Sequence, residues 1–268
     1  MHPFCHRLQV AQERAQTCLC VGLDPDMSRL PSGIPQTMAG MRYFLEAVIA
    51  TASPHCVAFK PNISFFEALG IEGLQLLQSL RSRVSETVPW VIDAKRGDIG
   101  NTSAMQARFL FDVLGADAVT LHPYMGEDSV FPFLAFKDKF SFVLGLTSNQ
   151  GSQQFQTQKM ATGEYLYERV LSQIRAWRES HGNVGAVVGA TQEALAAIRK
   201  SDPDLLMLIP GVGAQGGSYA DAVAHGKNRD GLALINVSRA ILYDVADNTQ
   251  NFECNILDRL SIYKGASL

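Results

Sequence analysis

Short apolar runs rich in β-branched residues alternate along this chain with longer stretches of helical periodicity. Eight runs stand out: Cys18–Asp24, Cys56–Lys60, Pro89–Lys95, Asp117–His122, Ser141–Thr147, Val184–Gly189, Leu205–Pro210 and Gly231–Val237. They are apolar throughout rather than strictly alternating, which is how strands covered on both faces read. Between them, Thr37–Thr51 places Met38, Met41, Leu45 and Val48 near helical spacing. Asn101–Leu114 opens on a polar residue suited to a cap and puts Met105, Phe109 and Val113 on one face. Tyr165–Arg178, Gln192–Lys200 and Gln215–Ala224 also read as helices. A strand–helix unit repeated eight times predicts a parallel sheet long enough to close on itself, an α/β protein of the (β/α)8 TIM-barrel class, with residues 1–268 as one domain. An open doubly wound sheet is the alternative.

The placement of polar residues favours the barrel. They gather at the C-terminal ends of the runs: Asp24, Lys60, Asp93 with Lys95, Thr147 with Ser148, a Gly-rich turn after LIPGVG, and Ser238 with Arg239. That end is where (β/α)8 barrels carry their active sites. One charge at a strand end means little, because a chain leaving a sheet meets water; several of complementary sign suggest a site.

The densest stretch is DAKRGDIGNT, residues 93–102. Residues i and i+2 of a strand share a face, so Asp93 and Lys95 point the same way. Asp98 follows a turn that Gly97 is expected to permit. With Lys60 on the adjacent strand the charges alternate: Lys60, Asp93, Lys95, Asp98. Carboxylates on both sides favour the ammonium form of Lys95, a proton donor rather than a nucleophilic amine. The bland reading of the same spacing is an ion-pair network that closes the barrel top.

Downstream, PGVGAQGG (residues 210–217) follows the seventh run and precedes a helix. Glycines let backbone N–H groups approach an anion, and barrels often bind phosphate after strands seven and eight. Arg239, just past the eighth strand, could clamp the same phosphate. Gly211, Gly213 and Gly216 match a dinucleotide fingerprint by letter, but no acidic residue follows the eighth strand. The polar segment 149–162, NQGSQQFQTQKMAT, is long for a strand–helix loop and reads either as a mobile lid or as a tolerated surface insertion.

Composition narrows the field. The 268 residues carry a formal net charge of -3, so no basic field for nucleic acid or an anionic membrane is expected, and an anionic ligand would need a local positive site. Five cysteines, an odd count at irregular spacing, suggest core thiols rather than a disulfide framework or a zinc site, with Cys18 and Cys20 on one strand face. The six histidines show no metal-ligand spacing, and His122 reads as a hydrogen-bonded structural residue. The N-terminus lacks the pattern of a signal peptide, and no apolar run is long enough to span a bilayer. A cytoplasmic location is therefore expected.

The pattern Asp93-x-Lys95-x-x-Asp98 with the following Ile-Gly-Asn-Thr resembles the signature of orotidine 5'-phosphate decarboxylases. VGLDPD, FKPNISFFE, VTLHPYMG, LTSNQG and PGVGAQGG resemble the longer bacterial subtype, so the likeness runs from about Val21 to Arg239. It departs at Arg96-Gly97 and in the loop after Thr147. The resemblance implies decarboxylation of orotidine 5'-phosphate to UMP with no metal or cofactor. It implies that Lys95 protonates C6, that Asp93 lies beside the substrate carboxylate, and that Lys60 orients Asp93 and contacts the ribose. Asp24 would also bind ribose, Ser148 the pyrimidine edge, and Gln215, Gly217 and Arg239 the phosphate. Asp98 and Thr102 would reach into the partner's site of a homodimer. Three competing readings remain at this stage: a metal-dependent sister enzyme acting on keto-sugar phosphates, a Schiff-base aldolase using Lys95, and a barrel that only binds nucleotides or a partner.

Overall fold

A computed structural model describes residues 1–189, 191–212, 218–243 and 252–264. The chain enters through α1 (Pro3–Ala15). The first units are β1 (Leu19–Leu23), α2 (Met38–Ala52), β2 (Ala58–Pro61), α3 (Ile63–Glu67), α4 (Gly70–Arg81), β3 (Val91–Arg96) and α5 (Gly100–Arg108). They are followed by β4 (Ala118–Leu121), α6 (Glu127–Leu134), β5 (Phe140–Leu146), α7 (Leu166–His181), β6 (Val184–Val188) and α8 (Gln192–Ser201). β7 (Met207–Ile209), α9 (Tyr219–Gly226), β8 (Leu234–Val237), α10 (Arg239–Leu242) and α11 (Phe252–Ile262) complete the described elements.

The eight strands run in the order β2-β1-β8-β7-β6-β5-β4-β3, each parallel to its neighbours. Parallel bridges from Phe59 to Trp90 and from Asn62 to Asp93 join β2 to β3 and close the ring. Each of the eight predicted runs overlaps one of these strands, with β2, β3 and β5 each extending one residue beyond its run, and the expected (β/α)8 barrel is what forms. An open doubly wound sheet would leave β2 and β3 as free edges.

Two cores follow from strand geometry, because successive side chains point to opposite faces. The outer core sets Leu19, Val21, Ile92, Val119, Val143, Ala186, Val188 and Ile235 against the helices. The inner core stacks Cys20, Ala58, Val91, Ala118, Phe142, Val187, Leu208 and Leu234 inside the ring. Cys18 and Cys20, expected on one face, belong to different cores: Cys18 lies before the strand begins and packs outside, Cys20 inside. Burial pushes their thiols up to about 11 and about 12.

No periodicity argument anticipated α1. Its Phe4, Leu8 and Ala11 are buried in the inner core. The Phe4 ring stacks on Phe140 at 5.0 Å, so the helix plugs the N-terminal end of the barrel. It starts where Pro3 fixes the backbone and His2 Nδ1 accepts from Phe4 N–H at 3.1 Å. The ion pair from Arg7 to the buried Asp117 at 2.9 Å anchors it to β4.

The predicted helices are present with shifted ends. Thr37 caps α2 by accepting from Gly40 N–H, and Gly182, at φ 80°, ends α7. α5 starts at Gly100 with no side-chain cap, so Asn101 lies inside the helix instead of capping it. Its continuation, Phe109–Val113, is a π-helical turn. The start of the predicted Gln215–Ala224 helix falls outside the described residues, and α9 begins at Tyr219 behind the cap residue Ser218.

Candidate active site

The inner face turns polar toward the C-terminal ends of the strands. On β2, Ala58 is followed two residues on by Lys60; on β3, Val91 is followed by Asp93 and then Lys95. Lys60 Nζ donates to Asp93 Oδ2 at 2.8 Å, and Lys95 Nζ donates to Asp93 Oδ1 at 2.6 Å. The expected lysine–aspartate–lysine array therefore forms, but the two lysines differ in setting. The Lys60 side chain is 4% exposed and that of Lys95 is 48% exposed, at the open mouth.

Burial opposes charge on Asp93, yet the flanking ammonium groups of Lys60 and Lys95 outweigh it and hold the carboxyl well below the usual range. Burial likewise opposes the Lys60 ammonium, and Asp93 and Asp24 outweigh it, so its pKa is raised. Both groups are fixed in their ionised forms at neutral pH.

Thr120 is the residue that sequence reasoning missed. It sits on the inner face of β4 between Ala118 and His122, and its hydroxyl donates to Asp93 Oδ1 at 2.8 Å. The same oxygen accepts from the N–H groups of Ala94 and Lys95, each at 3.0 Å. Those contacts support an irregular backbone: β3 shifts register against β4 between Ile92 and Arg96, and Lys95 has φ 44°. A positive φ is uncommon for a residue with a Cβ and persists where its surroundings impose it. The available signal was a single polar residue on the inward side of AVTL.

Asp98 does not complete the alternation. Its carboxylate accepts from Ile99 N–H at 2.8 Å, and among the described residues no ion pair joins it to Lys95. Gly97 serves close approach rather than a left-handed turn: a Cβ there would lie 2.7 Å from His122 Nε2. That ring nitrogen is 3.1 Å from Gly97 O, the structural role expected of His122. The left-handed glycine of this stretch is Gly100, at φ 51°. Thr102 is exposed on the first turn of α5.

On the other flank of Lys60, Asp24 follows β1, the strand paired with β2. Its Oδ1 is buried and has no partner among the described residues, as do Asn236 Oδ1 and Ser238 Oγ on and after β8. Buried polar atoms are ordinarily hydrogen-bonded, so this group marks where a polar ligand would be met. Gly22 makes room for Ser238, whose Cβ would lie 2.6 Å from a Cβ at position 22. Arg239 is exposed at the start of α10. Gln215 and Gly217, with the rest of residues 213–217, lie outside the described residues.

A cavity of about 510 Å³ opens at the ends of β5, β6 and β7, lined in part by Thr147, Ser148, Gly189, Pro210 and Gly211. None of Lys60, Asp93 and Lys95 lines it, because the charged array stands on β2 and β3 and the cavity at β5 to β7. The polar segment 149–162 is folded against this wall. Gln150–Gln154 forms a 3-10 turn, and Gln156 accepts from Thr147 N–H at 2.7 Å and donates to Thr147 Oγ1 at 2.8 Å.

A closed (β/α)8 ring with complementary charges gathered at its C-terminal mouth is the arrangement of a TIM-barrel enzyme. The family model described as "Orotidine 5'-phosphate decarboxylase / HUMPS family" matches residues 17–251, and the chain belongs to that family. It is 46% identical over 243 residues to an orotidine 5'-phosphate decarboxylase of Porphyromonas gingivalis, covering 89% of this chain and 87% of that one. An orotidine 5'-phosphate decarboxylase of Roseiflexus castenholzii is 45% identical over 251 residues, covering 93% and 91%. The solved structure of Leishmania donovani OMP decarboxylase superposes with a TM-score of 0.81 at 35% identity, covering 97% of this chain and 98% of that one.

Proposed function

We propose that this chain decarboxylates orotidine 5'-phosphate to UMP and CO2, the last step of UMP synthesis, as a single barrel domain. The observation that carries the proposal is the Lys60–Asp93–Lys95 array, two ammonium groups 2.8 and 2.6 Å from one carboxylate, in a chain of this family. In the reaction the bond from C6 to the carboxylate breaks, its electron pair stays on C6, and CO2 departs. Lys95 transfers a proton from Nζ to C6 and is reprotonated from solvent. Its exposure at the mouth lets a substrate reach it, whereas Lys60 is buried and suits the task of holding Asp93. Charge that is already oriented stabilises the developing carbanion without reorganising at the moment of reaction. The reading calls for no metal or cofactor.

Asp24 and Lys60 would meet the ribose, Ser148 the pyrimidine edge, and Arg239 with Gln215 and Gly217 the phosphate. Phosphate binding, remote from C6, can be used to hold the reactive end in place. Asp98 and Thr102 would act across a homodimer. Ile99, Tyr124 and Met125, 59%, 86% and 44% exposed, give the rim around Asp98 an apolar surface suited to such an interface. The same reading places the enzyme in the cytoplasm, in keeping with the buried thiols of Cys18, Cys20 and Cys56. No helix of the described residues is long and apolar enough to cross a membrane.

The test is the ultraviolet loss of orotidine 5'-phosphate on adding purified protein, with and without a metal chelator. Loss that persists in chelator is expected. Folded protein that leaves this substrate intact, yet converts a keto-sugar phosphate when magnesium is supplied, would replace the proposal with the sister reaction.

A further inference from the structure

The hydroxyl of Tyr243 reaches back from the C-terminal end of α10 to the segment that carries Asp24. It donates to Asp24 O at 3.1 Å and accepts from Asp26 N–H at 2.7 Å. Among the described residues, these are the side-chain hydrogen bonds that join residues 24–29 to the rest of the chain. Within the segment the contacts are local: Asp26 Oδ1 accepts from Ser28 N–H at 3.0 Å and from Ser28 Oγ at 2.7 Å. The tyrosine is itself held by packed neighbours. Its ring stacks on Phe44 of α2 at 5.8 Å, Arg29 lies over it at 4.8 Å, and the residue is 8% exposed. Burial pushes the phenol well above its ordinary range, so the hydroxyl keeps its proton at neutral pH and remains a donor.

Tyr243 also belongs to the other end of the site. Its N–H donates to Arg239 O at 2.9 Å, one turn back along α10. A single residue thus spans the segment bearing Asp24 and the helix bearing Arg239. The Asp24 carboxylate needs such support, because its buried Oδ1 has no hydrogen-bond partner among the described residues.

We propose that Tyr243 is a positioning residue that fixes Asp24 for the substrate's ribose and ties that contact to the Arg239 end of the site. The inference rests on the proposed function, since it takes Asp24 and Arg239 to be substrate contacts. Tyr243 is buried and its hydroxyl is engaged by Asp24 O and Asp26 N–H, so its effect belongs to binding rather than to proton transfer.

Tyr243→Phe removes both hydroxyl hydrogen bonds and keeps the ring against Phe44. The expected result is a rise of about five- to tenfold in KM and in the Kd for UMP, with kcat within about twofold of the parent. A general loosening of the fold would move KM as well, so the decisive measurement is a double-mutant cycle with Asp24→Ala. If Tyr243 acts through Asp24, adding Tyr243→Phe to Asp24→Ala changes UMP binding by less than about twofold. An unchanged KM and Kd in Tyr243→Phe, or a full penalty that persists in the Asp24→Ala background, overturns the inference. Parent protein that neither turns over orotidine 5'-phosphate nor binds UMP overturns the functional reading and this inference with it. Parent turnover with an unaffected variant overturns this inference alone.

Discussion

Asp93, whose side chain is 11% exposed, holds its charge because two ammonium groups face it, and the dependence runs both ways: Lys60 is 4% exposed and its counter-charges are Asp93 and Asp24. Asp93→Asn would keep the shape and remove the charge, leaving Lys60 without its closest partner. Breaking a buried pair from one side typically costs about 3–5 kcal/mol, and urea unfolding at neutral pH would read it. The pH dependence has a definite sign. The folded pKa of Asp93 lies below its ordinary 3.8, so the stability it contributes is present above that value and is lost as pH falls through the folded pKa. Lys60 is raised above its ordinary 10.5, so its contribution is present below that value and is lost as pH rises through the folded pKa. Asp93→Asn should therefore flatten the acid limb of the urea midpoint against pH; an unaltered acid limb would show that Asp93 is not the group responsible. Lys95 invites a different expectation, since it is half-exposed and structurally replaceable. Lys95→Ala should lower kcat by at least about a hundredfold while the circular dichroism stays that of the parent, the scale of a lost proton donor. Substantial retained turnover would remove Lys95 from that role.

At the scale of elements, α1 and β3 show how segments without a plain sequence signal shape the barrel. Phe4 packs into the inner core from below, against Phe140 and Phe142. Phe4→Ala would open a cavity at the barrel floor and should cost about 3–5 kcal/mol in chemical denaturation. KM should change little, because the floor lies at the opposite end of the strands from the mouth. A loss below about 1 kcal/mol would mean that α1 covers the barrel without supporting it. β3 contributes through its irregularity. Its register shift and the left-handed backbone at Lys95 bring that ammonium within 2.6 Å of Asp93. Thr120 on the neighbouring strand is what holds this conformation, with one oxygen serving two backbone donors and one carboxylate.

For the whole molecule, the separation of Asp98 from Lys95 within one chain is the feature with consequences. A carboxylate that shares the motif yet pairs with no lysine among the described residues is available to another copy, and its rim is apolar. If Asp98 acts in the partner's site, Lys95→Ala and Asp98→Ala proteins, each impaired alone, should complement when unfolded and refolded together. A hybrid dimer then carries one intact site of its two, and random pairing should restore about a quarter of parental activity. Recovery no greater than the sum of the separate variants would place Asp98 in its own chain's site.

Strand and helix periodicity are local properties, which is why all eight strands could be read from runs such as VAFK and VIDAK, and why charges at their ends pointed to the C-terminal mouth. Spacing also sufficed to put Asp93 and Lys95 on one face, and eight repeats sufficed to suggest a barrel. Closure decided the rest. Joining β2 to β3 through the Asn62–Asp93 bridge sets Lys60 against Asp93, and depth in the ring makes Lys60 buried and Lys95 exposed, a difference that identical residue letters could not convey. Thr120 and Tyr243 were invisible for a related reason: each owes its place to partners distant in sequence, 27 residues away at Asp93 and 219 at Asp24. A sequence fixes what a side chain can donate or accept, whereas the tertiary fold determines which group it meets and how much water remains between them.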